Sequence, residues 1–149
     1  MTIYMQHGEV YGASKEDDHV GWSSVLSLTV GMDNHGGQSI ETFLSTGQQY
    51  QKVFRPYEVV RIADESTPLL IRQFDNAQFS PEVRFKCLGN GEDGNEYTVY
   101  EFTFKEVTIR SIDLDFEHDR YIERMMCMYR QLIVKHPQTG NVGDSTNPN

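Results

Sequence analysis

Asp64-Glu65-Ser66-Thr67-Pro68-Leu69-Leu70-Ile71-Arg72-Gln73-Phe74-Asp75-Asn76-Ala77 is the stretch on which the reading of this chain turns. A threonine oxygen can accept from the free N–H groups that open a helix, and proline at the first helical position forfeits no hydrogen bond. Thr67 therefore reads as the cap and Pro68 as the first turn. Leu70, Phe74 and Ala77, with Ile71 beside them, then fall at the three- and four-residue spacing of one helix face. Almost every other apolar run alternates with period two. The expectation is a mainly β protein, a compact β-barrel of two antiparallel sheets, flanked by one short helix over about 67–77.

Outward from the helix, Ile3–Val10 predicts a first strand, and Trp22–Val30, where Val and Leu alternate with Ser and Thr, a second that stops at Gly31. Val53–Ile62 predicts another, with Pro56 at an edge or bulge because proline donates nothing to a ladder. Glu82–Leu88 and Tyr97–Phe104 form a hairpin, since Gly89-Asn90-Gly91-Glu92-Asp93-Gly94-Asn95-Glu96 supplies residues that accept positive φ. Val107–Phe116 is a further strand and Ile122–Val134 a long one. On the long one, Ile122, Arg124, Met126, Met128, Arg130, Leu132 and Val134 share one side, and Met125, Cys127, Tyr129 and Ile133 the other. Both sides are largely apolar, so this strand needs cover from the interior on one side and from the helix or a neighbouring subunit on the other. Asp33–Lys52 is a long connection, of the kind that in compact domains goes with function or mobility. Residues 137–149, rich in Pro, Gly, Asn and Thr, predict a mobile tail beyond a single domain over 1–136.

A chain of 149 residues is long enough to bury one core. Cys87 and Cys127 lie inside predicted strands, which favours buried free thiols over a disulfide and fits a reducing compartment. Met1–Gly8 has neither the basic nor the apolar region of a cleaved signal, and no apolar run reaches membrane-spanning length, so membrane insertion is not expected. Thirteen Lys plus Arg against 22 Asp plus Glu give a net charge of −9, and with no basic run the surface repels phosphate backbones. Nucleic acid is therefore not an expected partner.

Candidate chemistry is sparse. His7, Asp17, Asp18, His19, Asp33 and His35 are metal-ligating types, yet none are spaced as a helical pair and all lie in or beside polar loops. Ser23, Ser24 and Ser39 lack the glycine elbow of an activated nucleophile. Gly89–Gly94 joins two strands rather than opening a helix, so it is a turn and not a phosphate cradle. Asp115, Glu117, Asp119 and Glu123 read as a solvated acidic connection, and Met125, Met126 and Met128 as packing. No catalytic residue, metal or cofactor is expected; the enzyme alternative is a small metal-dependent hydrolase using His7, His19 and the acidic loops.

Several separated stretches, in order, resemble the haemolysin-coregulated protein (Hcp) family, the tube component of bacterial type VI secretion systems. Val10-Tyr11-Gly12-Ala13-Ser14-Lys15, then Asp18-His19 and Val25-Leu26-Ser27 leading to Gly31-Met32, look like its opening pattern. Asp64–Leu70 looks like its Asp-x-Ser/Thr-Ser/Thr-Pro-x-Leu helix start, with Asp64, Thr67, Pro68 and Leu70 as the fold motif. Glu96-Tyr97 through Phe104-Lys105-Glu106-Val107 to Ser111-Ile112 looks like its penultimate hairpin. The resemblance implies a subunit that assembles head-to-tail into hexameric rings, stacked into a tube that a contractile sheath propels from the cell with a spike at its tip. Effectors in the lumen are implied as cargo, and the protein as cytoplasmic before firing and secreted afterwards. By the same analogy Asp33, Asn34, His35, Gly36, Gly37, Gln38, Ser39 and Ile40 belong to a loop that reaches a neighbouring subunit or ring. A phage-type or extracellular contractile-injection tube subunit is the alternative that shares this fold.

Overall fold

The structure, a computed structural model, describes residues 2–10, 12–15, 19–34 and 52–146. Its elements are β1 (Thr2–His7), β2 (Ser23–Val25), β3 (Ser27–Thr29), β4 (Met32–Asn34), β5 (Lys52–Phe54), β6 (Tyr57–Ile62), α1 (Thr67–Asp75), β7 (Phe79–Asn90), β8 (Glu96–Glu117), β9 (Arg120–Met128), β10 (Gln131–His136) and β11 (Asn141–Thr146). All strand pairs are antiparallel. Nine strands make one sheet in the order β2-β1-β7-β8-β9-β6-β3, with β10 beside β8 and β11 beside β10; β4 and β5 form a second, two-stranded ladder. The mainly β fold of two antiparallel sheets with one short helix is therefore the one adopted. The large sheet is not closed. Its two ends are instead halves of one extended segment, for β2 pairs with β1 and, past Leu26, β3 pairs with β6.

Period-two alternation explains the core. Tyr57 and Val59 of β6, Val83 and Phe85 of β7, Phe104 of β8 and Met125 of β9 are fully buried. The rings of Tyr57 and Phe104 lie 4.3 Å apart, and Phe85 meets both edge-on at 5.6 and 5.7 Å. Such aromatic pairs contribute about 0.5–1.5 kcal/mol each beyond area burial.

The expected strand Ile122–Val134 divides at Tyr129-Arg130 into β9 and β10. Burial falls on Met125, Cys127 and Tyr129 before the break and on Leu132 after it. One extra residue has shifted the side-chain phase, which is why both faces of the uninterrupted sequence look apolar. Conversely, Tyr97–Phe104 and Val107–Phe116 are one strand of 22 residues, which passes through Glu106 at φ 52°. Pro81 stands opposite Glu106, in the gap between the Ser80↔Val107 and Glu82↔Lys105 pairs, where its missing N–H costs no ladder bond.

Two expectations need correction. Residues 141–146 of the expected tail are strand β11, paired residue for residue with β10 after a turn in which Gly140 takes φ 77°. A polar edge strand carries no apolar alternation, so composition alone hides it. The helix spans Thr67–Asp75, close to its expected bounds, with Ala77 turning the chain at φ 51°, but Ser66 rather than Thr67 is its cap residue. The Thr67 hydroxyl accepts from the Asp64 N–H at 3.1 Å, on the loop side of the helix start.

Of the predicted helix face only Leu70 is fully buried, whereas Ile71 is 40% and Phe74 46% exposed. Leu70→Ala should therefore lower the unfolding free energy in urea by about 2–5 kcal/mol. Phe74→Ala should lower it by less than about 1 kcal/mol.

Candidate functional site

Arg61 falls on the buried phase of β6, with Tyr57 and Val59, and Glu123 on the buried phase of β9, with Met125 and Cys127. The register sets them directly opposite one another, both fully buried. Glu123 accepts from Nε and, at 3.1 Å, from Nη2 of Arg61, a two-pronged ion pair. Nη1 donates to Ser23 Oγ and Ser66 Oγ, each at 2.7 Å, and to Asp64 Oδ1 at 3.2 Å. Nη2 also points at Thr67 Oγ1, 3.5 Å away. Asp64 in turn accepts from the backbone N–H groups of Ser66 at 2.8 Å and Ala13 at 3.2 Å. One guanidinium thus ties β2, β6, β9, the 12–15 turn and the start of α1.

Burial opposes ionisation of Asp64, but the Ser66 hydroxyl, the Arg61 charge and the N–H groups of Ser66 and Ala13 outweigh it and hold the carboxyl below its ordinary pKa of 3.8. A buried ion pair contributes little net stability because two charges leave water, yet removing one partner strands the other. The role of this cluster is to fix where the helix begins relative to the β8–β9 hairpin.

That placement shapes a surface. Leu114 pairs with Glu123, and two residues on, Phe116 pairs with Tyr121, so the core-facing side of the hairpin continues past the buried ion pair. There it is open: Phe116 is 63% and Tyr121 57% exposed. With Ala63, Pro68 and Ile71 these residues line a groove of about 480 Å³.

The other residues singled out in the sequence are dispersed. His7 is buried on β1, and neither ring nitrogen has a hydrogen-bond partner among the described residues. Burial first, and then the Arg61 charge, lower its pKa from 6.5 to about 4; the Gln73 side chain opposes the shift without reaching hydrogen-bond geometry. His19 is also buried, its ring stacked on Tyr4 at 4.5 Å and edge-on to Trp22 at 5.3 Å. Asp33, on β4, pairs with Arg55 at 3.4 Å. Asp17, Asp18 and His35 to Ile40 lie outside the described residues, as does Ser39 among the serines. Among the described residues no three His, Cys, Asp or Glu side chains are placed to hold a metal.

Ser23 is a member of the Arg61 cluster rather than a nucleophile, and Ser24 faces solvent. The acidic connection is split: Asp115, Glu117 and Asp119 are exposed, whereas Glu123 is fully buried, contrary to its reading as solvated. Cys87 and Cys127 are free and buried, and burial raises both thiols, Cys127 to about 12. Among the described residues no helix is long and apolar enough to cross a membrane.

Arg61 and Glu123 are what sequence reasoning missed. The available signal was phase: an arginine at the buried position of Tyr57-Glu58-Val59-Val60-Arg61 demands a buried counter-ion, and Glu123, the one acidic residue of β9, shares its phase with Met125 and Cys127.

The sequence model of a family described as "Type VI secretion system effector, Hcp" matches residues 4–136. Among solved structures, the fold resembles a double mutant of Hcp1 from the E. coli EAEC 042 pathovar, with a TM-score of 0.86 at 13% identity over 99% of each chain. It also resembles Hcp1 from Salmonella typhimurium, with a TM-score of 0.76 at 12% identity over 96% of this chain and 91% of that one. The secreted protein Hcp3 from Pseudomonas aeruginosa gives 0.75 at 16% identity over 97% of each. A search of curated proteins found no match.

Two outcomes follow from the buried charges. Arg61→Met should cost about 3–5 kcal/mol in chemical denaturation, and adding Glu123→Leu should restore most of the loss, because the second change removes the stranded carboxylate. For His7 the folded pKa lies below the unfolded one, so its neutral form is favoured on folding; this contribution is complete above pH 6.5 and is lost as pH falls toward 4. The loss should reach about 3 kcal/mol across that window in urea titrations and be absent in His7→Gln.

Proposed function

The chain belongs to the Hcp family of type VI secretion proteins, and on that premise we propose that it is a structural subunit of the secretion tube rather than an enzyme. In this reading copies assemble head-to-tail into hexameric rings that stack, the lumen carries small effectors, and the tube meets a spike at its tip and a contractile sheath around it. The subunit is made in the cytoplasm and leaves the cell with the tube, without membrane insertion. The observation that carries the proposal is the family match over nearly the entire chain. The fold is consistent with it, since an open apolar groove is the kind of surface that self-association covers. A heterologous contact closes into a ring when its rotation suits one, and a second contact along the axis gives growth.

The loop from Asp33 to Ile40 is assigned to contacts between subunits or rings. Its stem is defined, with Met32↔Phe54, Asp33↔Val53 and Asn34↔Lys52 paired, so the segment between is anchored at both ends by a ladder of its own. Native mass spectrometry of purified protein at tens of micromolar should show a hexamer. A strict monomer there would overturn the proposal. Deleting residues 36–49 should leave the circular dichroism spectrum and the ring intact while abolishing tubes in electron micrographs.

A further inference from the structure

We propose that α1 is a lid over His7 and that acid opens it: once the imidazole is charged, the helix lifts from the sheet as a unit while the strands stay paired.

His7 has no place for a second proton. Its ring is buried on the inner face of β1, and neither nitrogen has a partner among the described residues, whereas a charged imidazole carries two donors. The charge that faces it is that of Arg61 on β6, whose counter-ions are Glu123 of β9 and Asp64 at the helix start. Val83 of β7 and, beyond it, Phe104 of β8 lie in the same row and are apolar, while Glu82 and Arg84 fall on the other side of β7. From α1 comes Gln73, which is uncharged; Arg72 and Asp75 of the helix are exposed. A charged ring is therefore tolerated only where water reaches it.

Of the elements around the ring, α1 is the one that can leave. β1 is zipped to β2 on one side and to β7 on the other. The helix buries only Thr67 and Leu70 of its nine residues, and its far end is held to β7 by the bond from Ser80 Oγ to Gln73 Oε1 at 3.3 Å. Elements that bury so little open before the strands beside them. A hollow of about 800 Å³, lined by Gln6, Gly8, Gln73 and Ala77 among others, already lies beside that end. Lifting the helix does not strand Arg61, which keeps Glu123 and the Ser23 hydroxyl on the strands.

Hydrogen exchange read by mass spectrometry on the full chain tests this, with protection corrected for the intrinsic pH dependence of exchange. Opening lets the ring return from about 4 to its ordinary 6.5, so the opening constant should grow about 20-fold between pH 7 and pH 5. The peptide over 67–75 should be less protected than β7 and β8 at both pH values and should lose protection by that factor. In His7→Gln the loss should vanish. In Gln73→Glu, a change at a half-buried position, the carboxylate gives the charged ring a partner inside the closed form, and the loss should shrink. A helix whose protection equals that of the strands, or does not change with pH, overturns the lid, as does an undiminished loss in His7→Gln. Should His7→Gln fail to fold, an undiminished loss in Gln73→Glu overturns it on its own.

Discussion

A guanidinium with no access to water is the constraint from which the rest of this structure follows. Arg61 is fully buried, and its donors meet the carboxylate of Glu123, the hydroxyls of Ser23 and Ser66 and the carboxylate of Asp64. Each acceptor sits on a different piece of chain or at its junction, so a shift of any one leaves a buried N–H or oxygen unpaired, at a cost of about 1–3 kcal/mol and more where charge is involved. Hydrophobic contacts tolerate sliding; directional bonds to a planar fork do not. The start of α1, which the register of the sheet alone leaves undetermined, is located by this requirement.

Much of the fold was legible because a half-buried strand advertises itself by alternation. The hairpin from Glu82 to Phe104 and the strand character of Trp22–Val30 are read from period two and turn residues, and the structure has them. Where reading failed, alternation failed first. A single extra residue at Tyr129-Arg130 reverses the phase, and a long two-faced apolar run turns out to be two strands of ordinary one-sided burial. Asn141–Thr146 offers no apolar phase at all, and its strand state comes from the ladder with β10. Thr67 looked like a cap because caps are recognised by residue type, whereas its hydroxyl is used by Asp64 and Arg61.

The candidate surface was less legible than the fold, for a related reason. Exposure is set by what lies above a residue, and neighbouring elements in space are not written in local sequence. Leu114, Phe116 and Tyr121 read as ordinary strand residues, and only the pairing of β8 with β9 shows that they share a face with Glu123 and project beyond it. Likewise Asp115, Glu117, Asp119 and Glu123 look like one acidic group in sequence, but strand phase sends Glu123 inward to Arg61, puts Asp115 and Glu117 on the opposite face and leaves Asp119 in the turn.

Net charge bears on how such a surface can work. Copies carrying −9 repel one another at a distance, and that repulsion opposes non-specific association. Screening confines it to about 8 Å at physiological ionic strength, so repulsion governs encounter while contact is decided by the groups that touch. At that range the exposed rings of Phe116 and Tyr121 offer apolar area that is indifferent to the sign of charge.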